Sequence, residues 1–155
     1  MTSWNDWGNT VRKPVPAGRY VAKISNASMT FDQNGVARTE VTFEIVEGEC
    51  AARLIWFDYP HKVEEDGRAP FGWACRMMWE ALGFEGQPNG QGPIEWFQNV
   101  ARAITERVGA VVNIETMIRT YQNKQGETVA KAKIKRVSKI ANVQTNQPTG
   151  EAPQW

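Results

Sequence analysis

Glu115-Thr116-Met117-Ile118-Arg119-Thr120-Tyr121-Gln122-Asn123-Lys124-Gln125-Gly126-Glu127-Thr128-Val129-Ala130-Lys131-Ala132-Lys133-Ile134-Lys135 is the stretch on which the reading of the fold turns. Lys124-Gln125-Gly126 fits a three-residue hairpin loop with glycine at the left-handed position, and such a turn dictates the register of the strands it joins. Tyr121 then pairs with Val129, Arg119 with Lys131, Met117 with Lys133 and Glu115 with Lys135 on one face. Ile118 with Ala132 and Thr116 with Ile134 occupy the other. Short and β-branched residues sort to the second face and long polar ones to the first, as in a half-buried antiparallel pair. One pair resists the pattern. Arg119 opposite Lys131 sets like charges side by side at a cost of about a few tenths of a kcal/mol or more, which a bound anion would relieve.

Working outward, Val112 and Ile114 continue the alternation toward the N-terminus as a fourth strand, and Ala130, Ala132 and Ile134 mark a fifth. Arg19 to Ala27 alternates Tyr20, Ala22 and Ile24 with Arg19, Val21, Lys23 and Ser25, the period of a first strand. Asp32-Gln33-Asn34-Gly35 tolerates a left-handed turn, and Val41, Phe43 and Ile45 then alternate with Glu40, Thr42 and Glu44. Gly48 breaks that run. Ala51 to Tyr59 resumes as a third strand with Ala52, Leu54 and Trp56 opposite in parity to Arg53, Ile55, Phe57 and Tyr59, so both faces are apolar. Pro70 to Leu82 changes period: Phe71, Ala74, Met78 and Leu82 share a helical face, with Pro70 suited to the first turn and Gly83 to the C-terminal cap. After a Gly, Gln, Pro and Asn loop, Ile94, Phe97, Ala101, Ile104 and Val108 form a second helical stripe.

The order β-β-β-α-β-β is that of a five-stranded OB-type barrel, here with one extra helical segment in a mainly β fold. Residues 1–16, with Trp4, Trp7, Pro14 and Pro16, lack periodicity and read as an N-terminal arm. Residues 141–155 are rich in Asn, Gln, Pro, Thr and Gly, too polar to offset the entropy of ordering, and read as a flexible tail ending in Trp155. A single domain over 17–140 remains. The chain's 155 residues suffice for one core without staples, and Cys50 and Cys75 could form at most one bridge. Met1-Thr2-Ser3-Trp4 does not read as a signal peptide, so reduced thiols in an intracellular protein are expected. No apolar run exceeds the four residues Leu54 to Phe57, far short of the roughly 20 that cross a bilayer as a helix.

Charge is balanced in total, 18 Lys and Arg against 17 Asp and Glu, but segregated along the chain. Between Glu40 and Asp66 the acids Glu40, Glu44, Glu47, Glu49, Asp58, Glu64, Glu65 and Asp66 face only Arg53 and Lys62. Between Met117 and Lys139 the bases Arg119, Lys124, Lys131, Lys133, Lys135, Arg136 and Lys139 face only Glu127. Lysine that blunts a sheet edge would explain part of this. Single strands of nucleic acid, however, are gripped by cations that track phosphates and by aromatic faces that stack bases, and OB barrels bind them across the second and third strands and the flanking loops. Those places carry Phe31 and Arg38 near the first loop, Arg53, Trp56, Phe57 and Tyr59 on the third strand, and Arg119, Tyr121, Lys124, Lys131, Lys133 and Lys135 on the last hairpin. Parity with Leu54 favours burial of Trp56. Phe57 and Tyr59 share the face of Arg53 and are the expected stacking residues; Trp73, Trp79, Trp96 and Phe97 are expected to pack the helices.

Pro16-Ala17-Gly18-Arg19-Tyr20, Val41-Thr42-Phe43-Glu44-Ile45 with Gly48, Leu54-Ile55-Trp56-Phe57, Leu82-Gly83 and Gly109-Ala110-Val111-Val112 stand in an order and spacing that resembles the phage-encoded single-stranded-DNA-binding proteins of the OB-fold type. That family includes an early-gene group long described only as a domain of unknown function. The resemblance implies cooperative or stoichiometric coating of single-stranded DNA in phage replication or recombination, with little base preference, in the cytoplasm of a bacterial host. It also implies replication or recombination proteins as partners of the tail through Trp155. Better-known members have strongly acidic tails, whereas this one has only Glu151.

No catalytic constellation accompanies these features. His61 is the sole histidine, and there is no C-x-x-C, H-E-x-x-H or G-x-x-x-x-G-K motif. Glu64-Glu65-Asp66 reads as a solvated loop, and a nuclease pair of Asp58 with Glu44 lacks supporting spacing. The expectation is a binder without enzyme activity, metal or cofactor. Its rival is a protein-interaction module of a phage assembly or replication complex, in which the aromatic surface docks a protein and the lysines only protect an edge.

Overall fold

The protein is described by a computed structural model over residues 13–140. Trp4, Trp7 and the tail with Trp155 lie outside the described residues. Five strands, β1 (Gly18–Phe31), β2 (Ala37–Ile45), β3 (Leu54–Pro60), β4 (Val111–Gln122) and β5 (Thr128–Lys139), form one antiparallel sheet in the order β3-β2-β1-β4-β5. Two helices, α1 (Gly72–Ala81) and α2 (Pro93–Thr105), connect β3 to β4. The fold is mainly β, and its elements follow the chain order read from the sequence, three strands, the helical segments and two strands. The sheet is not closed, because no ladder joins β3 to β5.

Two turns of one design fold the sheet into hairpins. In each, a residue with a short carbonyl side chain opens a five-residue loop. Asp32 Oδ1 accepts from the amides of Asn34 (2.8 Å) and Val36 (2.9 Å), and Asn123 Oδ1 accepts from those of Gln125 (3.0 Å) and Glu127 (2.9 Å). Both need a fourth residue at positive φ, supplied by Gly35 (82°) and Gly126 (80°). The register read from the second turn holds from Gln122 opposite Thr128 to Thr116 opposite Ile134. There a bulge intervenes, so Glu115 pairs with Arg136 rather than with Lys135, although the Lys135 ammonium still lies 3.5 Å from the Glu115 carboxylate.

Alternate residues of the strands turn inward: Ala22 and Ile24, then Val41, Phe43 and Ile45, then Ile55 and Tyr59, then Val112 and Ile114, with Val137 closing the set. Ala74 and Met78 of α1 and Phe97, Val100 and Ile104 of α2 complete this core. Val15, ahead of β1, is buried with them. Burying each large apolar side chain contributes about 1.5–3 kcal/mol, so the stripes on the helices suffice to hold them on the sheet. The stripe on α2 is shorter than expected, since Ile94 and Val108 at its ends are exposed.

β3 departs from the expectation. Its start is Leu54, because residues 48–53 form turns closed by Ala51 N–H to Gly48 O (3.2 Å) and Arg53 N–H to Cys50 O (3.0 Å). Its buried face is that of Ile55 and Tyr59, set by pairing of Phe43 with Ile55, Val41 with Phe57 and Thr39 with Tyr59. Trp56 pairs with Thr42 on the outer face. The expected roles of Trp56 and Tyr59 are therefore exchanged. A strand apolar on both faces has no phase of its own; only its neighbour's pattern sets it.

Behind Tyr59 lies His61, 4% exposed, its ring stacked on Phe97 at 4.8 Å and 7° and its Nε2 sharing a hydrogen bond of 2.7 Å with Thr39 Oγ1. Burial lowers its pKa below the ordinary imidazole value. In the unfolded chain His61 binds a proton as pH falls through about 6.5, while in the folded one it stays neutral to lower pH. Stability is therefore full above about pH 6.5 and declines as pH falls from there toward the depressed folded pKa. A Tm series from pH 7.5 to 5 should show this decline, and His61→Gln should flatten it. An unchanged pH slope in the variant would assign the acid sensitivity to other groups.

Candidate nucleic-acid interface

Where the ladder between β3 and β5 is missing, the two strands flank a cleft of about 460 Å³. Trp56, Phe57 and Asp58 of β3 and Glu40 to Thr42 of β2 form one wall, and Lys131, Ala132 and Lys133 of β5 form the other. Alternation accounts for each placement. Trp56 projects outward between Ile55 and Phe57 and is 59% exposed, an unusual cost for the largest apolar side chain unless something covers it. Lys131 and Lys133 project outward because Ala132 and Ile134 pack against the core. Arg119, directly opposite Lys131, extends the basic surface across the hairpin.

The other expected residues are distributed as follows. Phe57 is half-buried and lines the cleft, with its ring 5.8 Å from Tyr59 and 6.5 Å from Trp73. Tyr59 is 1% exposed, so its expected stacking role is corrected: it is core, packed on Phe57, His61 and Phe97. Burial, with Cys75 alongside, raises its phenol pKa, and its hydroxyl lies buried without a hydrogen-bond partner. The same burial pushes the Cys75 thiol up to about 11, leaving it protonated and inert at neutral pH. Arg38 is paired with Asp58 at 2.7 Å, which compensates its charge, whereas Arg53 donates one N–H to the Lys13 carbonyl and keeps its charge and its other donors. Phe31 and Tyr121 are exposed near the hairpin ends, Lys124 sits in the β4–β5 turn, and Lys135 lies beyond the cleft near Glu115.

Sequence reasoning missed the acids that share the cleft. Glu40 faces Asp58 across the β2–β3 ladder, Asp58 is compensated by Arg38, and Glu40 accepts from the Thr30 hydroxyl at 3.3 Å. The segregation along the chain was the available signal, because antiparallel pairing of neighbouring acidic strands must bring their charges together. Trp73 was missed as well: it is 58% exposed rather than packed within the helix. Its signal was its place on α1, away from the Ala74 and Met78 stripe and near Arg76 and Glu80. Trp79 stacks on Phe84 at 4.0 Å, Trp96 is half-buried beside Gly90, and Phe97 is core.

The cleft thus combines an aromatic face and a cationic wall, the chemistry that stacks a planar ring and pairs with a chain of anions, with acids on the side away from β5. Among the described residues no cluster of three or more His, Cys, Asp or Glu side chains forms a metal site. Glu44 faces Leu54, four ladder pairs from the pair of Glu40 with Asp58. Comparison with protein families places residues 5–153 in the family described as Protein of unknown function (DUF669). The chain belongs to the DUF669 family. No curated protein matches it in sequence. The described part of this DUF669 chain has no helix long and apolar enough to cross a membrane.

Proposed function

We propose that this DUF669 protein binds single-stranded DNA without catalysis and largely without sequence preference, protecting it during phage replication or recombination in the host cytoplasm. The observation that carries the reading is the exposed Trp56 standing across the cleft from Lys131 and Lys133. Bases stack on the indole while phosphates run along β5, with Arg119 relieved of its like-charged neighbour by the bound anion. The resemblance of the strand-opening motifs to phage OB-fold binders supports the same reading, and partners recruited through Trp155 belong to it.

A titration with poly-dT and with duplex DNA, followed by tryptophan fluorescence at several salt concentrations, tests it. Quenching by the single strand should exceed that by duplex, and the log-log dependence of affinity on salt should have a slope of about −3 for four or five phosphates. Lys131→Glu with Lys133→Glu should weaken binding to all sequences alike and make the slope shallower by about 1.4, with an unchanged circular dichroism spectrum because both side chains are exposed. Wild-type binding by that variant would remove β5 from the site.

A second reading, a protein-interaction module, is favoured by one observation: Glu40 and Asp58 oppose any polyanion in the same cleft. It expects no quenching by DNA at low salt.

A further inference from the structure

Next to the first cleft lies a second groove, of about 520 Å³, between α1 and the C-terminal half of β5. We propose that single-stranded DNA bound in the first cleft continues past Phe57 into this groove, where Trp73 stacks a base and Arg136 and Lys139 hold phosphates. The proposal rests on the single-strand reading of the first cleft and extends its path along a helix face that the sequence assigns to packing.

Three observations carry it. The aromatic row is continuous: Phe57 lines the first cleft and its ring lies 6.5 Å from that of Trp73, which is 58% exposed at the edge of the second groove. The cationic row is continuous too, because one strand supplies both grooves, Lys131 and Lys133 to the first, Lys135, Arg136 and Lys139 to the second. At about 3.3 Å per residue, Lys131 to Lys139 spans roughly 26 Å, a length on the scale of several nucleotides. Finally, the charges are unequally compensated. Arg76 is held by Glu80 at 2.9 Å and Lys135 lies 3.5 Å from Glu115, whereas Arg136, although opposite Glu115 in the ladder, and Lys139 have no carboxylate within salt-bridge distance among the described residues. An exposed indole beside cations outside any salt bridge is the combination that grips a single strand, and the approach of Trp73 to Phe57 sets the direction of travel.

The test compares oligo-dT of about four nucleotides, enough for the first cleft, with about twelve, enough for both. Wild-type protein should bind the longer strand more tightly than the number of registers explains. Trp73→Ala should lower affinity for the longer strand roughly tenfold and barely change that for the shorter. Arg136→Glu with Lys139→Glu should do the same and make the salt slope on the longer strand shallower by about 1.4. Photocrosslinking of wild-type protein to bromodeoxyuridine-substituted long oligomers should label the peptide containing Trp73, a result independent of how any variant folds. Unchanged affinity and slope on the longer strand in both variants, without label at Trp73, would overturn the continuation. Equal losses on both lengths would place Trp73 in the first cleft and overturn it as well. If wild-type protein binds neither oligomer at low salt, the reading of the first cleft is what fails, and the continuation falls with it.

Discussion

Trp56→Ala should weaken binding to oligo-dT by about 5- to 150-fold, the loss of one stacked base worth roughly 1–3 kcal/mol, and leave the protein folded. The indole is 59% exposed on the outer face of β3 and pairs across the ladder with Thr42, so its removal opens no cavity. Surface changes of this kind stay within about 0.5 kcal/mol in stability. The dependence of affinity on salt should also stay the same, because no phosphate contact is removed. Fluorescence anisotropy of a labelled oligomer at two salt concentrations, with urea unfolding alongside, separates the terms. Unaltered affinity would dissociate the aromatic wall from binding, and a large drop in stability would mean that the indole is packed after all.

Three residues along the strand, the same substitution should have the opposite outcome. Tyr59→Ala should cost about 3–5 kcal/mol of stability, because a fully buried ring with three aromatic neighbours leaves a cavity that the surrounding sheet and α2 cannot fill. Tyr59→Phe should be close to neutral, since the hydroxyl it removes is buried without a hydrogen-bond partner. Urea midpoints at pH 7.5 measure both. A destabilisation by Tyr59→Phe as large as that by Tyr59→Ala would show that the hydroxyl, and not the ring, holds this part of the core.

These two side chains mark the limit of what the sequence made legible. The order of elements along the chain, both hairpin turns and most of the β4–β5 register could be read, because turn chemistry and one-sided alternation specify them locally, whereas the pairing of β1 with β4 could not. The helices could be read from their stripes, although their ends were overextended where Pro70 and Val108 fit the pattern without packing. β3 could not be phased. Leu54, Ile55, Trp56 and Phe57 are apolar on both sides, and only pairing with β2, whose Val41 and Phe43 are unambiguous, decides which side is wet. For the candidate site, residue type and parity read Lys131 and Lys133 as outward-facing, whereas the parity that set Phe57 on an outer face with Tyr59 is that of the buried face, and Phe57 reaches the cleft only half-buried. The acids beside them and the pairing of Arg38 with Asp58 depend on which strands meet, and no local spacing encodes that.

The matched turns at Asp32 and Asn123 have a kinetic consequence. Each closes a hairpin over a handful of residues, so β1 with β2 and β4 with β5 can form on the timescale of isolated hairpins, microseconds. The ladder that unites them joins Gly18 to Thr116, and closing so long a loop before its contacts exist is entropically costly. The meeting of β1 and β4 should therefore set the pace of folding, an expectation that stopped-flow refolding checks. Substitutions at Ile114 or Ala22 should slow refolding, while loosening either turn should act mainly through the rate at which its own hairpin forms.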